Sequence, residues 1–407
     1  MKTYELRNVG VLRKTKEEIR LSIHYVFLQS SYWLSACAVN GFASYYLAAK
    51  GFGEGQIGLI LAAINILLLI SQPFVAQFAD QSVRIRIKHI MAASMGMAVF
   101  LAGGMLLIPR GSLLFIPIYL LLLVLISMNG GLLTTLSSEH ITRGTRLNYG
   151  LARGIGSVSF ASMSILTGIL TKRSGPNITM AAFMVIASIF IVAVLRFQSP
   201  EKTRIQQKDT PSLNLTSFVK GHPRFMLTVF ATFLMFLSNN MVSTYFFQII
   251  ERVGGDSTSF GKAVAVAAYI ELLSMAVYPA IKRYLGSHAQ VMKLAAVAIF
   301  IKTLLILHAG SVGAIYRAQT LQFFGFGLYI PAQVYYVSSI ISQHDQAKGQ
   351  MFLGFSGTLA AVFSCLVGGY LFEHIGIYAT IMLTSVLSLV GIFMLFFCVE
   401  KDAMEKR

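Results

Sequence analysis

The stretch AYIELLSMAVYPAI, residues 268–281, places a carboxylic acid, Glu271, inside an otherwise lipid-compatible helix. A charge at that depth costs at least ~2.5 kcal/mol on insertion scales, so the group must be paired, protonated or open to water. Two kinds of chemistry fit. A deep carboxyl that exchanges a proton with a watery chamber can carry that proton across a membrane, or it can be a structural acid locked to a basic neighbour. Lys302 stands at a similar depth in the following apolar segment, whereas Lys262, Lys293 and Arg317 lie near segment ends, where long side chains reach the headgroups. Arg153, in NYGLARGIGSVSF, keeps its charge at any ordinary pH. Facing a cavity it holds carboxylates or hydroxyls; at the headgroup level it is an anchor.

Neutral polar residues on apolar helices also need partners in hydrocarbon. These are Asn40, Asn65, Gln72, Asn239, Asn240, Gln248, Gln322 and Gln333. Helix–helix bonding accounts for such residues by default. Gln322 and Gln333 differ in sharing one segment with Tyr329, Tyr335 and Tyr336, and an amide-and-aromatic lining suits a hydroxylated or aromatic ligand. Trp33, the single tryptophan, reads as packing.

The elements that position these residues are membrane helices. The 407-residue chain is 56% hydrophobic and 12% charged, against about 25% charged in soluble domains. Mean hydropathy is +0.69. Twelve apolar segments recur, near 21–48, 55–79, 89–108, 112–138, 149–172, 178–197, 225–250, 258–282, 289–308, 312–341, 350–372 and 377–399. The first is too long for a cleaved signal peptide. The expected organisation is a cytoplasmic segment 1–20, a six-helix bundle 21–197, a linker 198–224, a second bundle 225–399 and a tail 400–407. The fold class expected is all-α, with twelve transmembrane helices in two pseudo-symmetric bundles.

The net charge of +17 does not point to nucleic acid, because the basic residues gather in short loops at alternate segment ends. One side carries the basic N-terminus, Arg84, Arg86, Lys88, Arg143, Arg146, the linker, Lys282, Arg283, Lys348 and the tail; the other carries Lys50, Arg110, Lys172, Arg173 and Arg252. Both termini are therefore expected in the cytoplasm, in a multi-pass protein of the cell membrane. Cys37, Cys365 and Cys398 sit in apolar segments and read as small hydrophobes rather than metal ligands or disulfides. With no GxxxxGK[ST], HExxH or paired CxxC, no cofactor or metal is expected.

The halves echo each other. SYYL at 44–47 answers TYFF at 244–247, Asn65 precedes Pro73 as Glu271 precedes Pro279, and the spacing of Gly156, Gly168 and Gly175 repeats at Gly357, Gly369 and Gly376. Duplicated halves with a solute site between them are the plan of many secondary transporters.

LILAAINILLLISQPFVAQFADQSVRIR (59–86), NYGLARGIGSVSF (148–160) and YIELLSMAVYPAIKRYLG (269–286) resemble the second, fifth and eighth helices of major facilitator superfamily transporters. The resemblance is to the lactose permease branch of oligosaccharide–proton symporters and to related phenylpropionate-type permeases. It implies a major facilitator fold, a monomer, a small-molecule solute and a proton as partners, and no enzymatic activity. It further implies substrate binding by Arg153 with an aromatic at Phe160, proton coupling by Glu271 with Lys302, and cytoplasmic gating by Asp80 with Arg84; Asn240, Gln322, Gln333 and Tyr336 join the substrate-binding candidates as polar and aromatic residues within apolar segments. The departures are Ala76 where a loop glycine is expected, Thr135 in place of a fourth-helix glutamate, and Gln322 and Gly325 where a histidine and a proton-carrying glutamate stand in lactose permease. Lactose itself is put in doubt, and Glu271 remains as the deep acid.

The expected activity is uptake of a sugar, nucleoside or aromatic acid, with Glu271 protonated from outside and the loaded, neutral protein rocking inward. Efflux of amphipathic compounds by antiport is the rival within the class; the fifth segment has glycines but no proline, against an export signature. A receptor or an intramembrane enzyme is the rival outside it. The enzyme needs paired catalytic groups at one depth, and His24 is the only histidine clearly within a segment.

Overall fold

A computed structural model describes residues 2–81, 86–109, 112–142, 147, 149–198, 215–342 and 345–399. Every element among them is helical. The order is α1 (Lys2–Ala36), a π-helical turn (Cys37–Gly41), α2 (Ala43–Ala49), α3 (Glu54–Gln81), α4 (Ile87–Leu107), α5 (Phe115–Thr142), α6 (Tyr149–Ser174), α7 (Ile178–Arg196), α8 (Leu215–Gly221), α9 (Pro223–Thr244) and α10 (Phe246–Arg252). There follow α11 (Ser257–Leu285), α12 (His288–Leu307), α13 (Val312–Gln319), a 3₁₀ turn (Thr320–Phe323), α14 (Phe326–Ile340) and α15 (Gln346–Cys398). Nine helices among the described residues are long and apolar enough to cross a membrane.

Helices lie over all twelve ranges marked by the sequence, but the element count differs. The first, seventh and tenth ranges are each broken, and the eleventh and twelfth run together as α15. α15 contains a 51-residue apolar stretch, and at 1.5 Å per residue this is more than twice the hydrocarbon thickness. Its backbone turns at Gly376, at φ 79° and ψ 166°, a conformation open in practice only to glycine. Gly175, its counterpart in the first half, stands at φ 76° between α6 and α7. The repeat seen as glycine spacing is thus also a repeat of backbone shape.

Local chemistry sets the other boundaries. Asp256, Ser287 and Ser311 cap α11, α12 and α13 by accepting from backbone N–H groups. Pro223 opens α9 at a position where no N–H is needed. Pro279 and Pro331 lie inside α11 and α14. The break after α13 frees a carbonyl at Phe323, which accepts from the Ser274 hydroxyl at 2.5 Å. Gly327 makes room for that approach, since a Cβ there would fall 2.7 Å from Ser274 Oγ.

The chain separates into two compact units. One comprises Met1–Ala43 and Leu67–Gln206, the other Ser44–Ile66 and Gln207–Arg407. In the first, α1 packs on α6 and α7, and α4 on α5 and α7. Tyr25, Tyr32, Phe183, Phe190 and Phe197 are buried there. In the second, α9 lies along α15, and α12 lies against α14 and α15, around a core that includes Phe225, Met235, Ile299, Tyr329 and Tyr336.

Ser44–Ile66 joins the second unit for identifiable reasons. Tyr45 meets Phe247 edge-on at 4.9 Å, and Ser44 exchanges hydrogen bonds with Gln248. Glu373 accepts from the Gly55 N–H at 2.9 Å, filling the anion-favouring N-terminus of α3. A Cβ at Gly369 would fall 2.9 Å from the Glu54 carbonyl oxygen and from the Gly55 Cα, so two glycines let α3 and α15 approach main chain to main chain.

Candidate functional site

In the second unit, four of the polar residues singled out by the sequence converge. Lys302, 5% exposed, donates to Gln322 Oε1 at 2.7 Å and to Asn239 Oδ1 at 3.1 Å. Gln322 Nε2 donates to Glu271 Oε2 at 3.4 Å. Lys is a donor only, which fixes the orientation of the Gln322 amide: oxygen to the ammonium, nitrogen to the carboxylate. Gln322 therefore links a buried cation to a half-buried anion through one amide dipole.

The backbone makes this possible. Gln322 sits in the 3₁₀ turn between α13 and α14, so its side chain leaves a helix break rather than a helix face. Lys302 projects from the middle of α12, Asn239 from α9 and Glu271 from α11. Four elements supply four groups.

The first unit carries a second cluster. The Arg153 guanidinium lies over the Trp33 ring at 4.2 Å, and Arg153 Nη1 donates to Ser157 Oγ at 2.7 Å. Trp33 Nε1 donates to Gln29 Oε1 at 3.0 Å, Gln29 Nε2 to the Tyr25 hydroxyl at 2.8 Å, and that hydroxyl to the Leu133 carbonyl at 3.0 Å. Phe160 meets Trp33 edge-on at 6.0 Å. Gly156 admits the indole, because a Cβ there would fall 2.4 Å from Trp33 Cδ1. One terminal nitrogen of Arg153 is spent on Ser157, and the guanidinium stays over the ring in cation–π contact.

The remaining expected site residues are placed as follows. Asn240 donates to the Gly357 carbonyl at 3.3 Å, a bond between α9 and α15. Its neighbour Asn239 is the one that reaches Lys302. Gln333 is half-buried, and its Oε1 has no hydrogen-bond partner among the described residues. Tyr336 is fully buried in the core of the second unit. Asp80 lies in the last turn of α3 with its side chain outside the described residues, and Arg84 also falls outside them. Thr135 returns its hydroxyl to the Gly131 carbonyl of its own helix. The sequence alone reads Trp33 as packing and Asn239 as one of several polar residues bonding between helices, and it gives no sign of Gln29. For Trp33 the available signal was Gly156, a small residue in the helix that faces it. Among the described residues no group of three or more His, Cys, Asp or Glu is placed to hold a metal, and the three cysteines are free thiols.

The MFS_1 like family matches residues 18–383. The chain is 26% identical over 380 residues to the uncharacterized transporter YwbF of Bacillus subtilis (strain 168), covering 90% of this chain and 92% of that one. It is 26% identical over 366 residues to a maltose permease of Geobacillus stearothermophilus, covering 88% of this chain and 90% of that one. The crystal structure of the nucleoside transporter NupG aligns with a TM-score of 0.74 at 16% identity, over 94% of this chain and 98% of that one. A bacterial homolog of the human lysosomal transporter Spinster, inward-facing and unoccupied, aligns with a TM-score of 0.65 at 11% identity, over 94% and 97%. Such identities speak for the fold alone, while the family match spans most of the sequence. The chain belongs to the MFS_1 like family and is a membrane transporter of the major facilitator superfamily.

Proposed function

We propose that the protein takes up a small hydroxylated solute together with a proton, by alternating access, through twelve membrane spans with both termini in the cytoplasm. The observation that carries this reading is the Glu271–Gln322–Lys302 chain, a carboxyl in a membrane helix tied through one amide to a buried ammonium. With Glu271 ionised, the cation has its balancing charge two hydrogen bonds away. A proton arriving at Glu271 removes that charge and frees the carboxyl and the amide to rearrange around a solute. Proton occupancy and solute binding are thereby coupled. Moving the pair through apolar surroundings is costly unless its charges are compensated, which ties the conformational step to loading.

The solute class follows from the donors and acceptors. Amides at Asn239 and Gln322 bond hydroxyls, and Arg153, lying over the Trp33 ring, offers further donors. A sugar or a nucleoside carries the hydroxyls that amides bond; an aromatic acid carries a carboxylate for Arg153. The maltose permease relative favours a hydroxylated solute. In the same reading Asp80 and Arg84 close the cytoplasmic side, and the transporter works as a monomer.

The test is uptake into proteoliposomes under an imposed pH gradient, acid outside, across a panel of sugars and nucleosides. Glu271→Gln is expected to abolish gradient-driven accumulation while leaving solute counterflow. Normal accumulation by Glu271→Gln refutes the coupling role, and concentration of solute only by everted vesicles reverses the direction.

A further inference from the structure

The first unit contains a groove that the transport chemistry does not use. About 760 Å³ in volume and open along one side, it runs between α1 and α7. Its α1 wall is Arg20, Ile23, His24 and Phe27, a spacing of one helix face; its α7 wall is built around Ile189, Val192 and Arg196. The two helices run antiparallel, and their register is pinned by His24 Nε2 against the Ala193 carbonyl at 3.0 Å. One turn from that bond toward the α1 N-terminus stands Arg20, and one turn toward the α7 C-terminus stands Arg196. Both guanidiniums therefore lie at the same end of the groove, and both are exposed.

Below them the walls are apolar. Ile23, Phe27, Ile189 and Val192 are 64, 49, 47 and 49% exposed. Lys88 donates to the Leu195 and Phe197 carbonyls, both at 3.1 Å, so another side chain closes the last turn of α7. The Arg196 guanidinium is left for other work. Glu17 and Glu18 stand one turn beyond Arg20, outside the groove wall.

We propose that this groove binds an anionic phospholipid, its phosphate held between Arg20 and Arg196 and an acyl chain lying along Ile23, Phe27, Ile189 and Val192. Charge complementarity selects the occupant. Two guanidiniums at one end of an otherwise oily channel match one phosphodiester above one hydrocarbon chain. A neighbouring helix or a water-soluble solute matches only one of the two halves. In the topology proposed above, the basic end lies in the cytoplasmic leaflet; the chemistry of the site holds in either orientation.

Native mass spectrometry of the delipidated protein, with phosphatidylglycerol or phosphatidylcholine added back, tests the assignment. One phosphatidylglycerol per chain should survive collisional activation that strips phosphatidylcholine. The double variant Arg20→Gln, Arg196→Gln should bind it about 30-fold more weakly, as expected for two basic residues at a membrane surface. Val192→Trp fills the groove without touching either charge and should also lose the bound lipid, which keeps the test decisive if the arginine variant folds poorly. Equal retention of phosphatidylcholine, or undiminished phosphatidylglycerol in both variants, reduces the groove to ordinary annular contact and overturns the proposal. Neither outcome bears on proton-coupled uptake, which is read separately.

Discussion

At the scale of single residues, the cost of leaving a buried ammonium without acceptors organises the second unit. Lys302 has two neutral oxygens, and the amide that carries one of them donates through its nitrogen to Glu271. Gln322→Leu removes an acceptor from the cation and a donor from the carboxylate together. It is expected to cost about 1–3 kcal/mol of stability, read by denaturant unfolding in detergent, and to weaken coupling. Gly156 offers a contrasting case. Alanine normally stabilises a helix by about 1 kcal/mol relative to glycine. At Gly156 that gain meets an indole held by Gln29 at its N–H and by Arg153 over its ring, so Gly156→Ala should melt earlier than the parent and bind solute less well. At Gly96, where nothing lies within 4 Å, Gly96→Ala should raise the melting temperature. If both substitutions stabilise equally, Trp33 is not pinned. Glu271, Lys302, Gln322 and Arg153 were legible from type and depth, because a polar group in hydrocarbon is conspicuous. The place of Trp33, and which of Asn239 and Asn240 reaches Lys302, were not, because a tryptophan among apolar residues and two adjacent asparagines look the same in sequence whichever way they face.

At the scale of elements, the helix breaks matter more than the helices. The 3₁₀ turn at Thr320–Phe323 aims Gln322, and the π-helical turn at Cys37–Gly41 lies where α1 gives way to α2. The sequence marked the tenth segment as continuous, since hydropathy does not change across a 3₁₀ turn. What makes the break affordable is tertiary: Ser274, on a different helix, takes up the Phe323 carbonyl. The turn inside α15 differs, because its signal is local. Gly376 holds a conformation closed to side chains, so Gly376→Ala should cost about 1–3 kcal/mol in thermal unfolding. A neutral substitution would mean that the backbone reverses by another route.

At the scale of the whole molecule, charge distribution sets orientation. Ser212→Cys in the linker should react with a membrane-impermeant maleimide only in everted vesicles, and Ser112→Cys only in intact cells, each in a background lacking the three native cysteines. The opposite pattern would invert the proposed topology. By itself the sequence determined the helical class, the segment positions to within a few residues, the internal repeat and the deep polar residues, all of which follow from hydropathy and period summed along the chain. Tertiary structure alone decided that Ser44–Ile66 packs with the second unit, that Gln322 joins Lys302 to Glu271, and that Arg153 rests on Trp33. Those outcomes depend on which helix face meets which neighbour, and that is settled by glycine contacts and borrowed carbonyls between residues far apart in the chain.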